Sequence, residues 1–539
     1  MPNITVEILL LLLISTALFG VVARKLRVPD AIVLVIAGLC VSQVPGLPRP
    51  RLEPENVFLL VLPPLLYSQA WFTSWPDFKK WLRPIFLLAV GLVIFTTLLV
   101  AWAMHALVPE LPLALCFALG AIVSPPDAVA ASAVAQAFRL PKRVVTILEG
   151  ESLVNDATGL VALSFALAAL QHGEFSLAAA SGRFVLVAGG GIAFGLLLAA
   201  AVAPIFRRLR DDAIVLALSL VVPYVAYLVA DRWLHVSGVL AVVSAGIWLG
   251  ARASKILSPN ARLQGFGFWS TLVFLLNGSV FLMIGLQLPD VTAGMCAAGH
   301  PIGERIGTAA AICGVVILSR LIWVFPGAYL PRLLSRRIRE REPVPTWQNV
   351  TILGWSGMRG VVSLAAALAL PETLASGAPL PGRNLLIFLA FSVTLATLVL
   401  QGLTLPLLIK LLGVQDSGDA ELEEERGARI AAISASLQRI RELLKDPTVD
   451  GEAGKIVAAD FEDRLRRLHA GHASIVGDPH GGRRLMGSLR LRRHALTAAR
   501  SHMLDRHGRG ELDRELLIRL ERELDLEELQ LTASEKSLD

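Results

Sequence analysis

Apolar stretches, most of them about the 20 residues that a helix needs to cross the hydrocarbon core of a bilayer, fill the first 411 residues almost without pause. They run near 5–23, 31–47, 56–72, 84–107, 112–138, 144–170, 184–206, 212–230, 236–251, 266–288, 305–330, 349–370 and 384–411. That pattern predicts an all-α polytopic membrane protein of about 13 transmembrane helices. Composition agrees: 54% of the 539 residues are hydrophobic, well above the balance of a soluble protein. The first stretch has no basic residues ahead of it and no clear small-residue cleavage site, so it reads as a spanning helix rather than a signal peptide.

The loops supply an independent check. Arg24, Lys25 and Arg27 fall in the first loop, Lys79, Lys80 and Arg83 in the third, Arg139, Lys142 and Arg143 in the fifth. Arg207, Arg208 and Arg210 fall in the seventh, Arg252, Lys255 and Arg262 in the ninth, and Arg332, Arg336, Arg337, Arg339 and Arg341 in the eleventh. These 20 basic residues face only six in the even loops: Arg49, Arg51, Arg183, Arg232, Arg305 and Arg383. The positive-inside rule then sets the N-terminus outside and the odd loops and C-terminus in the cytoplasm. The formal charge of +6 is thereby a property of loops, and nucleic acid is not an expected partner. Cys40, Cys116, Cys296 and Cys313 form no CxxC pair and read as apolar filler.

Beyond Lys410 the composition turns polar. ELEEERGARIAAISASLQRIRELL and LDRELLIRLERELDLEELQL carry apolar residues at helical spacing among mixed charges. Residues 415–539 are expected to form a helical cytoplasmic domain following a transmembrane domain at 1–411. HAGHASIVGDPHGGRR, between those two runs, reads as a loop.

Ionisable groups inside spanning segments are costly and mark function by default. Here they are few. Asp127 lies in helix 5, Glu149, Glu151 and Asp156 in helix 6, Arg320 in helix 11 and Arg359 in helix 12. Asp127 follows two prolines in AIVSPPDAVA. Pro125 and Pro126 remove two helical hydrogen bonds, and the residues before them are pushed towards extended backbone. Irregular backbone at membrane depth is tolerated only where it is buried in protein or lines a cavity. The break thus sets carbonyl oxygens beside a carboxylate, the ligand set of a hard cation. Ser152 and Asp156, four residues apart, share one face of helix 6, and Gly159 continues it for close approach. Asp127, Ser152, Asp156 and the carbonyl of Pro126 are therefore expected to surround one small cation. Gly354, Gly357 and Gly360 weaken helix 12 around Arg359, whose expected partner is Glu151. Arg320 reads as a core ion pair or carbonyl clamp. If helices 1–6 and 8–13 are two repeats, each break falls in the fifth helix of its repeat. Paired broken helices in an inverted repeat are the pattern of secondary transporters.

SPPDAVA, EGESLVND and GMRGVVSLA, in this order, resemble the monovalent cation:proton antiporter 1 family, and most of all its bacterial sodium/proton exchangers. The resemblance covers about residues 1–411. It implies a homodimer in the bacterial inner membrane that exchanges Na+ for protons in pH and Na+ homeostasis, with no cofactor. By the same resemblance Asp156 is the main cation and proton carrier. Asn155, the other half of an Asn-Asp pair, marks the electroneutral branch. Ser152 matches a ligand position, and Glu151 with Arg359 a buried structural pair. The family usually reads SPTDPVA, so Pro126 stands for a threonine whose backbone carbonyl is the ligand, and Ala128 for a proline. Where many members read PPLLFE, LPPLLYSQAW has Ser68 at the acid's position. These departures leave K+ or Li+ as alternatives to Na+. An intramembrane aspartyl protease would want a GxGD stretch and a cation channel a TVGYG-like filter, and the chain has neither.

Overall fold

The computed structural model describes residues 6–26, 29–44, 57–127, 131–132, 134–135, 138, 140–172, 177–297, 302–342, 344–374, 378–414, 419–446, 450–476, 479–509 and 511–536. These are overwhelmingly helical; the β-structure among them is one isolated bridge, Thr373 to Pro379. The chain divides into two compact units, Met1–Gln415 and Asp416–Asp539.

In the first unit the helices are α1 (Val6–Leu26), α2 (Asp30–Ser42), α3 (Leu62–Phe72), α4 (Val93–Leu107), α5 (Leu113–Val123), α6 (Lys142–His172) and α7 (Leu177–Arg208). They continue with α8 (Asp212–Leu228), α9 (Gly238–Gly250), α10 (Pro259–Ala297), α11 (Ile302–Leu334), α12 (Trp347–Trp355), α13 (Val361–Leu368) and α14 (Arg383–Leu412). Among the described residues, seven helical stretches of 22–35 residues are long and apolar enough to cross a membrane, and four apolar ones are shorter. The expected segment 349–370 is two helices, α12 and α13, with unwound chain at 356–360. The expected segment 112–138 is α5, then unwound chain at 124–127, then helical backbone at 131–132 and 134–135; residues 128–130 lie outside the described ones.

Small residues set the closest crossings, because helices in lipid associate through backbone approach rather than apolar burial. A Cβ at Gly38 of α2 would stand 2.1 Å from the Leu282 carbonyl of α10, and one at Gly285 would stand 2.0 Å from the Val35 carbonyl. Likewise Gly195 of α7 faces the Ala241 carbonyl of α9 at 2.2 Å. Buried apolar clusters fill the spaces between, four of them among the described residues. One, built on Leu115, Leu119, Ile122, Ile312 and Leu386, packs around α5. Another, built on Ile32, Ile284, Met358, Leu364 and Phe391, packs around α13. The two unwound segments are therefore walled by close-packed side chains, as irregular backbone in lipid requires.

The second unit holds α15 (Asp419–Leu443), α16 (Gly451–Val476), α17 (Pro479–Gly508) and α18 (Arg514–Lys536). Successive helices pack on one another. Among the described residues Leu496 and Leu531 pack with Leu524, and ion pairs such as Arg441–Glu462 and Arg500–Asp525 join the helices. The loop expected at HAGHASIVGDPHGGRR is helical instead, except for residues 477–478, which lie outside the described ones. Pro479 opens α17 at the first helical position, where its missing N–H has no partner to lose. Histidine and glycine content was a weaker guide than the alanine, leucine and arginine on either side.

Candidate functional site

The helix of α5 ends at Val123, two residues before the proline pair. Two of the carbonyls that the unwound chain leaves without helical N–H partners are taken by one side chain. Arg359 Nε donates to the Val123 carbonyl at 2.8 Å and Nη2 to the Ser124 carbonyl at 3.2 Å. Its Nη1 donates to the carbonyl of Gly357, in the second break. The Asp127 N–H donates to the Met358 carbonyl at 2.8 Å. The Arg359 N–H donates to Thr397 Oγ1 of α14 at 3.1 Å. Two unwound segments, far apart in sequence, thus satisfy each other's backbone.

This arrangement corrects an expectation. Glu151 does not pair with Arg359. Arg320 Nη1 and Nη2 donate to the two Glu151 carboxylate oxygens at 2.5 and 2.8 Å, with both side chains 1% exposed. Arg320 Nε also donates to the Leu353 carbonyl near the end of α12, at 3.1 Å. The fork geometry of guanidinium matches a carboxylate, which leaves Arg359 to serve the carbonyls of the breaks. Arg320 is thus both ion pair and carbonyl clamp.

Helix α6 closes the site. Gly159 permits its approach: a Cβ there would stand 2.4 Å from Pro125 Cγ. Asn155, fully buried, donates from Nδ2 to the Pro126 carbonyl at 2.6 Å. A carbonyl oxygen has two lone pairs, so Pro126 retains one for a further partner. Asn155 Oδ1 is buried and has no hydrogen-bond partner among the described residues. Asp156 is buried and lines a cavity of about 10 Å³, with Pro125, Gly159, Val362 and Ala366 among its walls. That is room for about one water-sized guest. Asp156 and Asp127 interact electrostatically. Ser152 is buried one turn before Asp156, and Asp127 is half-buried in the first break. Ser68 is buried in α3.

Two contributors escaped the sequence reading. Thr397 carries no signal as one threonine in an apolar helix, yet it holds the Arg359 backbone. Gly360 was visible only as one of three spaced glycines. A Cβ there would lie 1.8 Å from Asp127 Oδ2 and 2.5 Å from Asp127 Cβ and Cγ. Its backbone is extended, with φ −122° and ψ −154°, so alanine is excluded by contact and not by backbone strain. We expect Gly360→Ala to displace the Asp127 carboxylate and raise the half-saturating cation concentration at least tenfold, about 1.4 kcal/mol. Exchange measured across a cation series in vesicles checks this; unchanged half-saturation would show that Asp127 can move without consequence.

The sequence profile of the family described as "Sodium/hydrogen exchanger, transmembrane" matches residues 9–411. An uncharacterised Na+/H+ exchanger of Mycobacterium tuberculosis is 32% identical over 532 residues, which is 97% of this chain and 96% of that one. A Bacillus pumilus protein named a sodium, potassium, lithium and rubidium/H+ antiporter is 34% identical over 82% of this chain and 66% of its own length. The structure of the sodium proton antiporter MjNhaP1 from Methanocaldococcus jannaschii superposes with a TM-score of 0.59 at 21% identity, covering 75% of this chain and 97% of that one. That likeness establishes a shared fold.

Proposed function

This chain belongs to the sodium/hydrogen exchanger family of secondary cation/proton antiporters, which are not enzymes, and on that premise we propose that Asp156 is its cation and proton carrier. Asp127, Ser152 and the carbonyl of Pro126 complete the cation's oxygen shell, and Asn155 positions that carbonyl. The observation that carries the reading is a buried carboxylate, Asp156, one residue from the Asn155 that holds the Pro126 carbonyl of the first break, whose Asp127 N–H is in turn bonded to the second. The acceptor Asn155 Oδ1, which lacks a donor among the described residues, suits a bound cation.

The chemistry follows from competition. Burial in a low dielectric disfavours a charged carboxylate, and a bound cation favours it. The carrier therefore holds either a proton or a cation. Each loaded form is better neutralised than the empty one, whose bare charge at membrane depth is costly to move. If only loaded forms change their exposure, exchange is obligate and needs no separate coupling device. Arg359 ties the first break to the second and to α14, so the two breaks are expected to move together.

We assign Na+ as the cation and electroneutral exchange as the mode, with Asn155 beside Asp156 as the sign of that branch. A broader cation range, including K+ and Li+, is the second reading. It is favoured by the name of the Bacillus pumilus relative and by Ser68 and Pro126, which withdraw a carboxylate and a hydroxyl from the pattern the resemblance implies. The protein works as a homodimer in the bacterial inner membrane, N-terminus outside. Its transmembrane domain spans 1–411 and its cytoplasmic helical domain 415–539. Purified protein in vesicles with an internal pH dye tests the assignment. Imposed Na+ gradients should move protons, Li+ and K+ gradients should rank the ions, and a clamped potential should leave the rate unchanged. Proton movement that follows the potential would refute electroneutrality.

A further inference from the structure

Away from the carboxylates, the first turn of α6 carries Lys142 and Arg143 and no acid. That is the wrong sign for a helix N-terminus, where the peptide dipoles leave about half a positive charge. Two more guanidiniums converge there. Arg83 donates from Nε and Nη2 to Glu342 at 3.0 and 2.6 Å, and Arg332 donates from Nη2 to the same carboxylate at 2.8 Å. Arg143 interacts electrostatically with Glu342, Arg83 and Arg332, and lies over the Trp81 ring at 4.3 Å. Lys142 has its own acid, Asp77, at 3.6 Å.

Among these contacts of the described residues, four cations meet two acids, a formal +2 before the helix terminus is added. Glu342 supplies a full negative charge. Burial opposes its ionisation, but the hydrogen bond and charge of Arg83, with the charges of Arg332 and Arg143, hold its carboxyl below the usual range. Even so, the acids do not balance the cluster. Arg332 is 5% exposed, and its Nε has no hydrogen-bond partner among the described residues. A buried guanidinium N–H without an acceptor is costly. Arg83, Arg143 and Arg332 all line one cavity of about 50 Å³, whose lining also includes the apolar Leu87, Ile147 and Val324. That is space for several water-sized groups, and so for a tetrahedral oxyanion.

We propose that this cavity is a phosphate-binding site in which Arg332 Nε and Arg143 receive the oxygens of a phosphate group, beside the positive end of α6. Guanidinium is the side chain suited to phosphate oxygens, and a helix N-terminus is a ready anion site. The ligand is free phosphate or the phosphate of a net anionic lipid headgroup, one that carries no cation of its own as phosphatidylcholine does. Asn349 and Leu353 of α12 line the same cavity. Occupancy therefore touches both α6, which bears Asp156, and α12, which ends at the second break, so it would set how easily the site-bearing helices move.

The test uses the full chain in phosphatidylcholine nanodiscs at constant ionic strength, read by thermal stability and by quenching of tryptophan fluorescence, with Trp81 beside Arg143 as reporter. One arm titrates inorganic phosphate against chloride. The other replaces part of the phosphatidylcholine with phosphatidylglycerol. Saturable stabilisation by phosphate is expected for a free-ion site, and by phosphatidylglycerol alone for a headgroup site. In either case Arg143→Gln should weaken the effect at least tenfold, and Arg332→Gln should do the same. If Arg332→Gln fails to fold, Arg143→Gln decides alone. A response to neither ligand beyond chloride, or an undiminished response in Arg143→Gln, overturns the proposal.

Discussion

Asp156→Asn is expected to abolish cation-driven proton movement in vesicles, down to the leak of protein-free membranes, while the purified protein elutes and melts as the wild type does. Asparagine keeps the size of the side chain and loses the titrating oxygen. The other buried acid of α6, Glu151, is held by Arg320 and is not free to replace it. Ser152 has no ionisable proton at working pH, and Asn155 already donates its amide to the Pro126 carbonyl. The cavity beside Asp156 is small enough that asparagine should seat without a void, which predicts retained stability. Full exchange by this variant would remove Asp156 from the carrier role.

The second large effect concerns stability. Arg320→Ala should destabilise the protein by about 3–5 kcal/mol, because it strands a buried charge on Glu151. It also removes the donor to the Leu353 carbonyl near the end of α12. Low yield and a lowered melting temperature are the expected result. The paired change Arg320→Met with Glu151→Gln should recover a large part of the loss, since replacing both partners of a buried pair is far less costly than removing one. Single-variant stability equal to wild type would mean that the pair holds nothing together. Arg359→Ala should act differently. It leaves no acid stranded, but it uncovers the carbonyls of Val123 and Ser124 beside Asp127, and so should impair exchange along with stability.

The difference between those two arginines shows what a sequence can and cannot carry here. The positions of the breaks were legible because proline and glycine act on their own backbone. SPP must interrupt a helix wherever it lies, and three spaced glycines loosen one. The face shared by Ser152, Asp156 and Gly159 was legible from helical spacing alone. Pairing was not. Glu151 had two candidate guanidiniums, and the choice depends on helix rotation and on what else each must serve. Arg359 sits inside unwound chain, so the nearest unmet groups are carbonyls, whereas Arg320 sits in continuous helix facing Glu151. The close contact of Gly360 with Asp127 was hidden for the same reason, since it depends on how two breaks cross. Nor could the sequence reveal that the Pro126 carbonyl, expected as a cation ligand, already accepts a hydrogen bond from Asn155.

The central claim is that one carboxylate site holds a proton or a cation, never both. The most direct measurement is the half-saturating Na+ concentration as a function of pH, with protein in vesicles and equal pH on both sides. Competition predicts that on the acid side the half-saturating concentration rises about tenfold for each unit of pH while the maximal rate holds. A half-saturating concentration that stays constant while the maximal rate falls would place the proton on a separate group and contradict the account.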